Sequence, residues 1–286
     1  LLHGDQHELY DIDLWSEGIP AVGLPFTVLI KEGPVVELVL DSFQCHRPKS
    51  LSQYRFEREV RRPSLGPKTA AVADDIGNGF FENYRGYQEI LQEMKRLQAD
   101  FPTIISKFGS LGKSVEGRSI PVIHLKSGKA VGKRQLIWIS GGQHAREWVA
   151  VSSVMYVLEK LCLGYGQDPI TTAVLDKFEF AIAPMINPDG YEWTRSGDRL
   201  WRKNRAKGTR GSVVGVDLNR NWDVHWAEVG ASRQPVSQIY AGPSAASEPE
   251  VRQTAAYIKG LQNRVAGIDV HSFGQLVLRN YGWTVQ

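Results

Sequence analysis

The chain has 286 residues with 34 Lys and Arg against 31 Asp and Glu, and its formal net charge of +3 is too balanced for an arm built to hold nucleic acid. With 42% hydrophobic, 10% aromatic and 23% charged residues it can bury one large core, or a large and a small one, and the composition excludes a disordered chain. Its two cysteines, Cys45 and Cys162, exclude a disulfide scaffold or a multi-cysteine zinc module, and no apolar run approaches the roughly 18 residues of a membrane-spanning helix.

Residues 1–60 combine two strand-like pieces, Phe26 to Ile30 and Val35 to Leu40, with a charged stretch from Arg55 to Arg62, and read as a small α+β unit. Residues 61–78 turn to Pro, Gly, Ala, Ser and Asp and offer Arg61, Arg62 and Lys68 to a protease, as an exposed linker does. From residue 79 to 286 the pattern alternates. Tyr84 to Ala99 carries Tyr87, Ile90, Leu91, Met94 and Leu97 near a 3.6 period and predicts a helix. Ile120 to Leu125 and Leu136 to Ile139 predict strands, Trp148 to Leu163 an apolar helix, and Phe178 to Ala183 a strand entering the turn Asn187-Pro188-Asp189-Gly190. Ser247-Glu248-Pro249-Glu250 reads as a capping box opening a helix to about Gln262, followed by strands at Val265 to Val270 and Gln275 to Leu278. The expected class is α/β: a mixed, mostly parallel central sheet covered by helices on both faces, its chemistry at the carboxyl ends of the strands.

One such end is Gly141-Gly142-Gln143-His144-Ala145-Arg146-Glu147, where a strand meets two glycines and a helix start. His144 and Glu147, three apart, can aim donor atoms at one point and suit a cation such as zinc, or they form a capping histidine beside a dipole-stabilised glutamate. His225-Trp226-Ala227-Glu228 repeats the spacing without a strand or glycines before it and reads as a chance match. A mononuclear catalytic zinc needs a third protein ligand and an open position, and His271, ending the strand Gly267 to Val270, belongs at the same sheet end. Its bland alternative is a half-buried, hydrogen-bonded histidine. Arg199 to Arg205, interleaved with Trp193 and Trp201, is the densest basic stretch, but its setting in a balanced chain argues against phosphate binding. In Asp217-Leu218-Asn219-Arg220-Asn221-Trp222-Asp223, an amide beside a guanidinium can clamp a carboxylate, or the arginine is simply solvated.

Taken together these residues resemble the zinc metallocarboxypeptidases of the pancreatic carboxypeptidase A/B type. His144-Ala145-Arg146-Glu147-Trp148, Asn187-Pro188-Asp189-Gly190-Tyr191, Arg199-Leu200-Trp201-Arg202-Lys203, Asp217 to Trp222, Ser247-Glu248-x-Glu250 and His271-Ser272-Phe273-Gly274-Gln275-Leu276 occur in the family's order and spacing over about residues 80 to 286. The resemblance implies one Zn2+ per chain held by His144, Glu147 and His271, with Asp217 orienting His144. It implies that Arg202 polarises the scissile carbonyl, that Asn219 and Arg220 hold the substrate's free α-carboxylate, and that Arg146, Ser272 and Phe273 line upstream subsites. It further implies peptide or protein substrates with a free C-terminus, a monomer with no nucleic-acid or membrane partner, and an extracellular or, alternatively, vacuolar location. Residues 1–60, through Leu9 to Trp15, resemble part of the family's activation segment, so a zymogen is expected.

Three departures accompany the resemblance. Where the family often has tyrosine the chain has Phe273, so a hydroxyl contact is expected to be missing. The positions of a disulfide common in secreted members fall on Val213 and Val236, expected to replace it as an apolar pair. The family's general-base glutamate, mobile tyrosine and specificity-determining residue follow the third ligand at a distance this chain does not cover, Gln286 being 15 residues beyond His271, so a fragment of a longer enzyme is expected. Cys162, in an apolar helix, is expected to be a core residue. The competing reading is a zinc-binding homologue without peptidase activity, with a binding or regulatory role; the intact Asn219-Arg220 pair favours the enzyme.

Overall fold

The computed structural model describes residues 79–128, 134–208, 211–272 and 276–279, together with the short strands β1 (Asp13–Trp15), β2 (Thr27–Ile30) and β3 (Val36–Val39). The expected linker at 61–78, Cys45, Phe273 and the remainder of residues 1–60 lie outside these. β2 and β3 form a two-stranded antiparallel sheet, with Thr27 opposite Val39.

The main sheet is framed by β4 (Ile105–Lys113), β5 (Ser119–Leu125), β6 (Gln135–Gly141), β7 (Phe178–Ala183) and β8 (Arg264–Val270), in the spatial order β4-β5-β7-β6-β8. β1 and β9 (Leu278–Arg279) continue it beyond β8. β6 pairs in parallel with both β7 and β8, whereas β5 runs antiparallel to β4 and β7. Four of the five framing strands therefore share a direction, as expected of a mixed, mostly parallel sheet.

Alternation along the strands explains why both faces are covered. Ile137 and Ile139 of β6, with Phe178, Phe180 and Ile182 of β7, join one apolar cluster; Leu136 and Trp138, with Ala181 and Ala183, join another. The first cluster includes residues of α1 (Tyr87–Asp100), α2 (Trp148–Gly164), α3 (Pro169–Lys177) and α4 (Pro188–Ser196). The second takes Val251 and Ile258 from α5 (Pro249–Gly260). Burying a large aliphatic or aromatic side chain in such a layer is worth about 1.5–3 kcal/mol. Cys162 lies in the first cluster, and burial pushes its thiol up to about 12, so it packs as a core residue. No single described helix is long and apolar enough to cross a membrane.

Several local expectations are corrected. α1 starts at Tyr87 instead of Tyr84. Asn187-Pro188-Asp189-Gly190 is the first turn of α4: Asn187 Oδ1 accepts from Gly190 N at 2.9 Å as the N-cap, and Pro188 occupies a position whose missing N–H costs nothing. The Ser247 to Glu250 capping box does not form. Pro249 begins α5 with Glu248 as its N-cap, Ser247 Oγ donates to Glu248 Oε1 at 2.7 Å, and Glu250 is turned inward to accept from Val115 N at 3.0 Å. The strand expected at Gln275 to Leu278 is Leu278–Arg279. Val236 is 92% exposed, so it forms no apolar pair with Val213; its loop is held instead by Lys203 Nζ, which donates to Pro235 O at 2.7 Å and Ser237 O at 3.0 Å.

Candidate metal centre

The parallel pairing of β6 with β8 puts Gly141 opposite Val270, so His144, just past the first strand, and His271, just past the second, emerge at one sheet end. Gly142 makes the turn between them and the sheet possible. Its φ is +67°, and a Cβ there would lie 2.7 Å from Val151 Cγ2. Glu147 is the residue before α2, where the helix dipole favours a carboxylate.

His144, Glu147 and His271 are all buried, and their ligand-type atoms lie within 4.8 Å of one another. His144 Nδ1 is 2.7 Å from Glu147 Oε1; His271 Nδ1 is 3.0 Å from both Glu147 Oε2 and His144 Nδ1. The outward nitrogens face carboxylates: His144 Nε2 lies 3.0 Å from Asp217 Oδ1, and His271 Nε2 lies 2.7 Å from Asp269 Oδ2. An ionised carboxylate only accepts, which puts the ring hydrogens on Nε2 and leaves two Nδ1 lone pairs converging beside a third carboxylate. Such lone pairs repel unless a cation or a shared proton lies among them. Two imidazoles and one carboxylate are a donor set that fits zinc with a position left for water or substrate.

The local electrostatics agree with this. Burial pushes the Glu147 carboxyl up, but His144 and His271 outweigh it and hold the group well below the usual carboxylate range. Asp217 is likewise raised by burial and lowered further by His144, Arg202 and Arg220, and Asp269 is held low by His271, Ser140 and Gln143 against its burial. Burial lowers His271, yet Asp269 and Glu147 raise it well above an ordinary imidazole. A field that draws a proton so strongly also draws a metal cation.

Of the remaining sequence-derived residues, Arg202 is beside the cluster: its Nε donates to Asp217 Oδ2 at 3.1 Å and its Nη1 is 3.9 Å from Glu147 Oε1. Ser272 N donates to Glu147 Oε2 at 3.1 Å. Asn219 and Arg220 lie on the short 3-10 turn Leu218–Arg220, capped by Asp217, which accepts from Asn219 N at 3.0 Å. Arg146 is on the turn between the two ligand-type residues, its Nη1 3.4 Å from Leu200 O. Cross-links keep these segments together. Ala145 N donates to Arg202 O at 2.9 Å, Asn187 Nδ2 bridges Gln143 O and Lys203 O, and Asn204 Oδ1 accepts from Val216 N at 2.8 Å. The Arg199 to Arg205 stretch is folded onto tryptophans, with Arg199 over Trp148 of α2 at 3.7 Å and Arg205 over Trp193 at 4.1 Å. His225 and Glu228 form an exposed pair 2.8 Å apart, and the His144, Glu147, His271 group is the one three-donor cluster among the described residues.

Sequence reasoning missed Asp269, Gln143 and Ser140. Asp269 is read as part of an apolar strand, and only its position two residues before His271 hinted at the contact.

A family model described as zinc carboxypeptidase matches residues 90–286. Among curated proteins, rat carboxypeptidase A2 is 40% identical over 295 residues, covering 99% of this chain and 67% of that protein; bovine carboxypeptidase A1 is 39% identical over 206 residues, covering 72% and 48%. Among solved structures, thrombin activatable fibrinolysis inhibitor superposes with a TM-score of 0.70 at 31% identity, over 73% of this chain and 52% of that one. Carboxypeptidase A from Helicoverpa armigera gives 0.62 at 29% identity, over 84% and 56%. The chain thus spans between about half and two thirds of the length of these proteins.

Proposed function

The chain belongs to the zinc carboxypeptidase family, and from that premise we propose that it is the zinc-binding part of a metallocarboxypeptidase that hydrolyses the C-terminal peptide bond of peptides and proteins. The observation that carries this reading is the convergence of three buried donors whose two imidazoles are each backed by a carboxylate. His144, Glu147 and His271 would hold one Zn2+. When bound, the ion supplies Lewis-acid polarisation of the scissile carbonyl and makes water more acidic.

The protein's own groups do the rest. Arg202, steadied by Asp217, offers a fixed positive charge beside the cluster, where the carbonyl oxygen becomes negative. Asn219 and Arg220 take the α-carboxylate of the last residue, and that contact makes the reaction an exopeptidase one, because an internal peptide bond has no carboxylate to offer. Arg146, Ser272 and Phe273 are assigned to subsites further upstream. Residues 1–60 are assigned to an activation segment and 61–78 to a linker cut on activation, so the protein would be a secreted, monomeric zymogen.

The test is zinc stoichiometry by elemental analysis after dialysis. About one zinc per chain is expected, and none in His144→Ala or His271→Ala, because two ligands hold the ion poorly. Zinc content unaffected by either substitution would refute the site.

A further inference from the structure

The two imidazoles of the cluster are not backed in the same way. Asp217, behind His144, shares its charge with Arg202. Asp269, behind His271, is in contact with neutral donors only, apart from the histidine itself. Its Oδ1 accepts from Ser140 Oγ at 2.8 Å, its register partner on β6, and Ser140 Oγ in turn accepts from Trp138 Nε1 at 3.0 Å. Its Oδ2 accepts from Gln143 Nε2, while Gln143 Oε1 accepts from Trp222 Nε1 at 3.0 Å. Asp269 is 8% exposed, and a buried carboxylate with this many fixed donors has no freedom to rotate.

We propose that Asp269 is a positioning residue for the metal: through Nε2 of His271 it fixes the rotation and tautomer of that ring and presents the Nδ1 lone pair to the ion. The inference rests on the zinc reading of the cluster. Two physical consequences support it. A carboxylate partner strengthens the imidazole as a donor and locks its orientation, and loss of such a partner typically weakens metal binding about 10- to 100-fold. Formal charge points the same way. With both imidazoles neutral, as metal donors must be, Glu147, Asp217 and Asp269 with Arg202 in direct contact leave two negative charges, the number a divalent cation cancels. Removing the charge of Asp269 breaks that match, whereas removing a hydrogen bond to it does not. The register partner Ser140 and the Gln143 to Trp222 link then act one step further out, by holding Asp269.

The experiment compares zinc affinity by chelator competition in the wild-type chain, Asp269→Asn and Ser140→Ala, with circular dichroism and thermal melting as folding controls. The expected result is a roughly 10- to 100-fold weaker zinc affinity in Asp269→Asn and less than about 3-fold in Ser140→Ala. The visible spectrum of the cobalt-substituted chain should shift in Asp269→Asn and stay in place in Ser140→Ala. If Asp269→Asn fails to fold, Asp269→Ser, smaller and still able to accept from Nε2, carries the same expectation. Wild-type affinity in the aspartate variant overturns this inference alone. Equal losses in both variants that track their melting temperatures also overturn it, because they mark a packing role. A wild-type chain that holds no zinc overturns the zinc reading and this inference with it.

Discussion

Arg220 sits at the end of the turn that Asp217 caps, with Nε donating to Gly230 O at 2.8 Å and Nη1 to Asn219 O at 3.1 Å. Two of the guanidinium's five N–H donors are therefore used to fix the plane of the group, and the others stay available to a planar, two-oxygen acceptor. Charge-assisted hydrogen bonds contribute about 1.5–3 kcal/mol, so in the active protein Arg220→Ala should raise KM for peptides with a free terminus roughly 10- to 100-fold and leave zinc content unchanged. Steady-state kinetics on paired free and amidated peptides checks this. An equal loss on both would contradict the carboxylate-clamp role. Arg220→Lys should recover little, since an ammonium cannot make the two parallel bonds of a fork.

At the level of elements, the start of α5 carries an unusual pair of carboxylates. Asn204 Nδ2 donates to Glu248 Oε2 at 2.7 Å and to Glu250 Oε2 at 3.2 Å, and both glutamates are buried. Burial, reinforced by the charge of Glu248 and only partly offset by Val115 and Asn204, pushes Glu250 up to about 7. The folded chain therefore holds this proton more tightly than the unfolded one does. The resulting stabilisation is fully present below the unfolded value of 4.5 and is lost as pH rises through about 7. Urea unfolding between pH 5 and 8 should show a decline of roughly 1–3 kcal/mol attributable to this group, flattened in Glu250→Gln, which cannot ionise. Parallel curves for the two proteins would dismiss the effect.

The same scale explains what the sequence could and could not reveal. β6, β7 and α2 were legible because most of their positions are buried, and continuous apolar runs such as Leu136 to Ile139 announce that. β4 was not: it mixes Ser, Lys and Gly, buries only Ile105 and Leu111, and contains two register shifts. α3 escaped because Leu175 is its one buried residue, and α4 because a capping asparagine followed by proline looks like a turn until the helix beyond it is known. In the cluster, His144 and Glu147 share one segment and could be read by spacing. The link from Asp269 to Gln143 and Trp222 depends on strand adjacency and on a loop returning to the sheet end, and neither leaves a pattern in the local sequence.

For the molecule as a whole, the proposed two-unit organisation makes a simple demand on proteolysis. Trypsin should cut between about Arg58 and Lys68 and leave the remainder resistant, because among the described residues the core clusters run from Phe80 onward. Mass spectrometry of a limited digest reads this directly, and uniform digestion would count against a separable N-terminal unit. The same organisation has a kinetic side. His144 and His271 are 127 residues apart in sequence, and what unites them is the parallel pairing of β6 with β8. Closing so long a loop is among the slower and later events in folding a sheet of high contact order. The nascent chain consequently passes through a period in which His144 and Glu147 exist as a two-donor half-site, too weak to retain an ion. Metal capture becomes the molecule's own report that its long-range topology is complete.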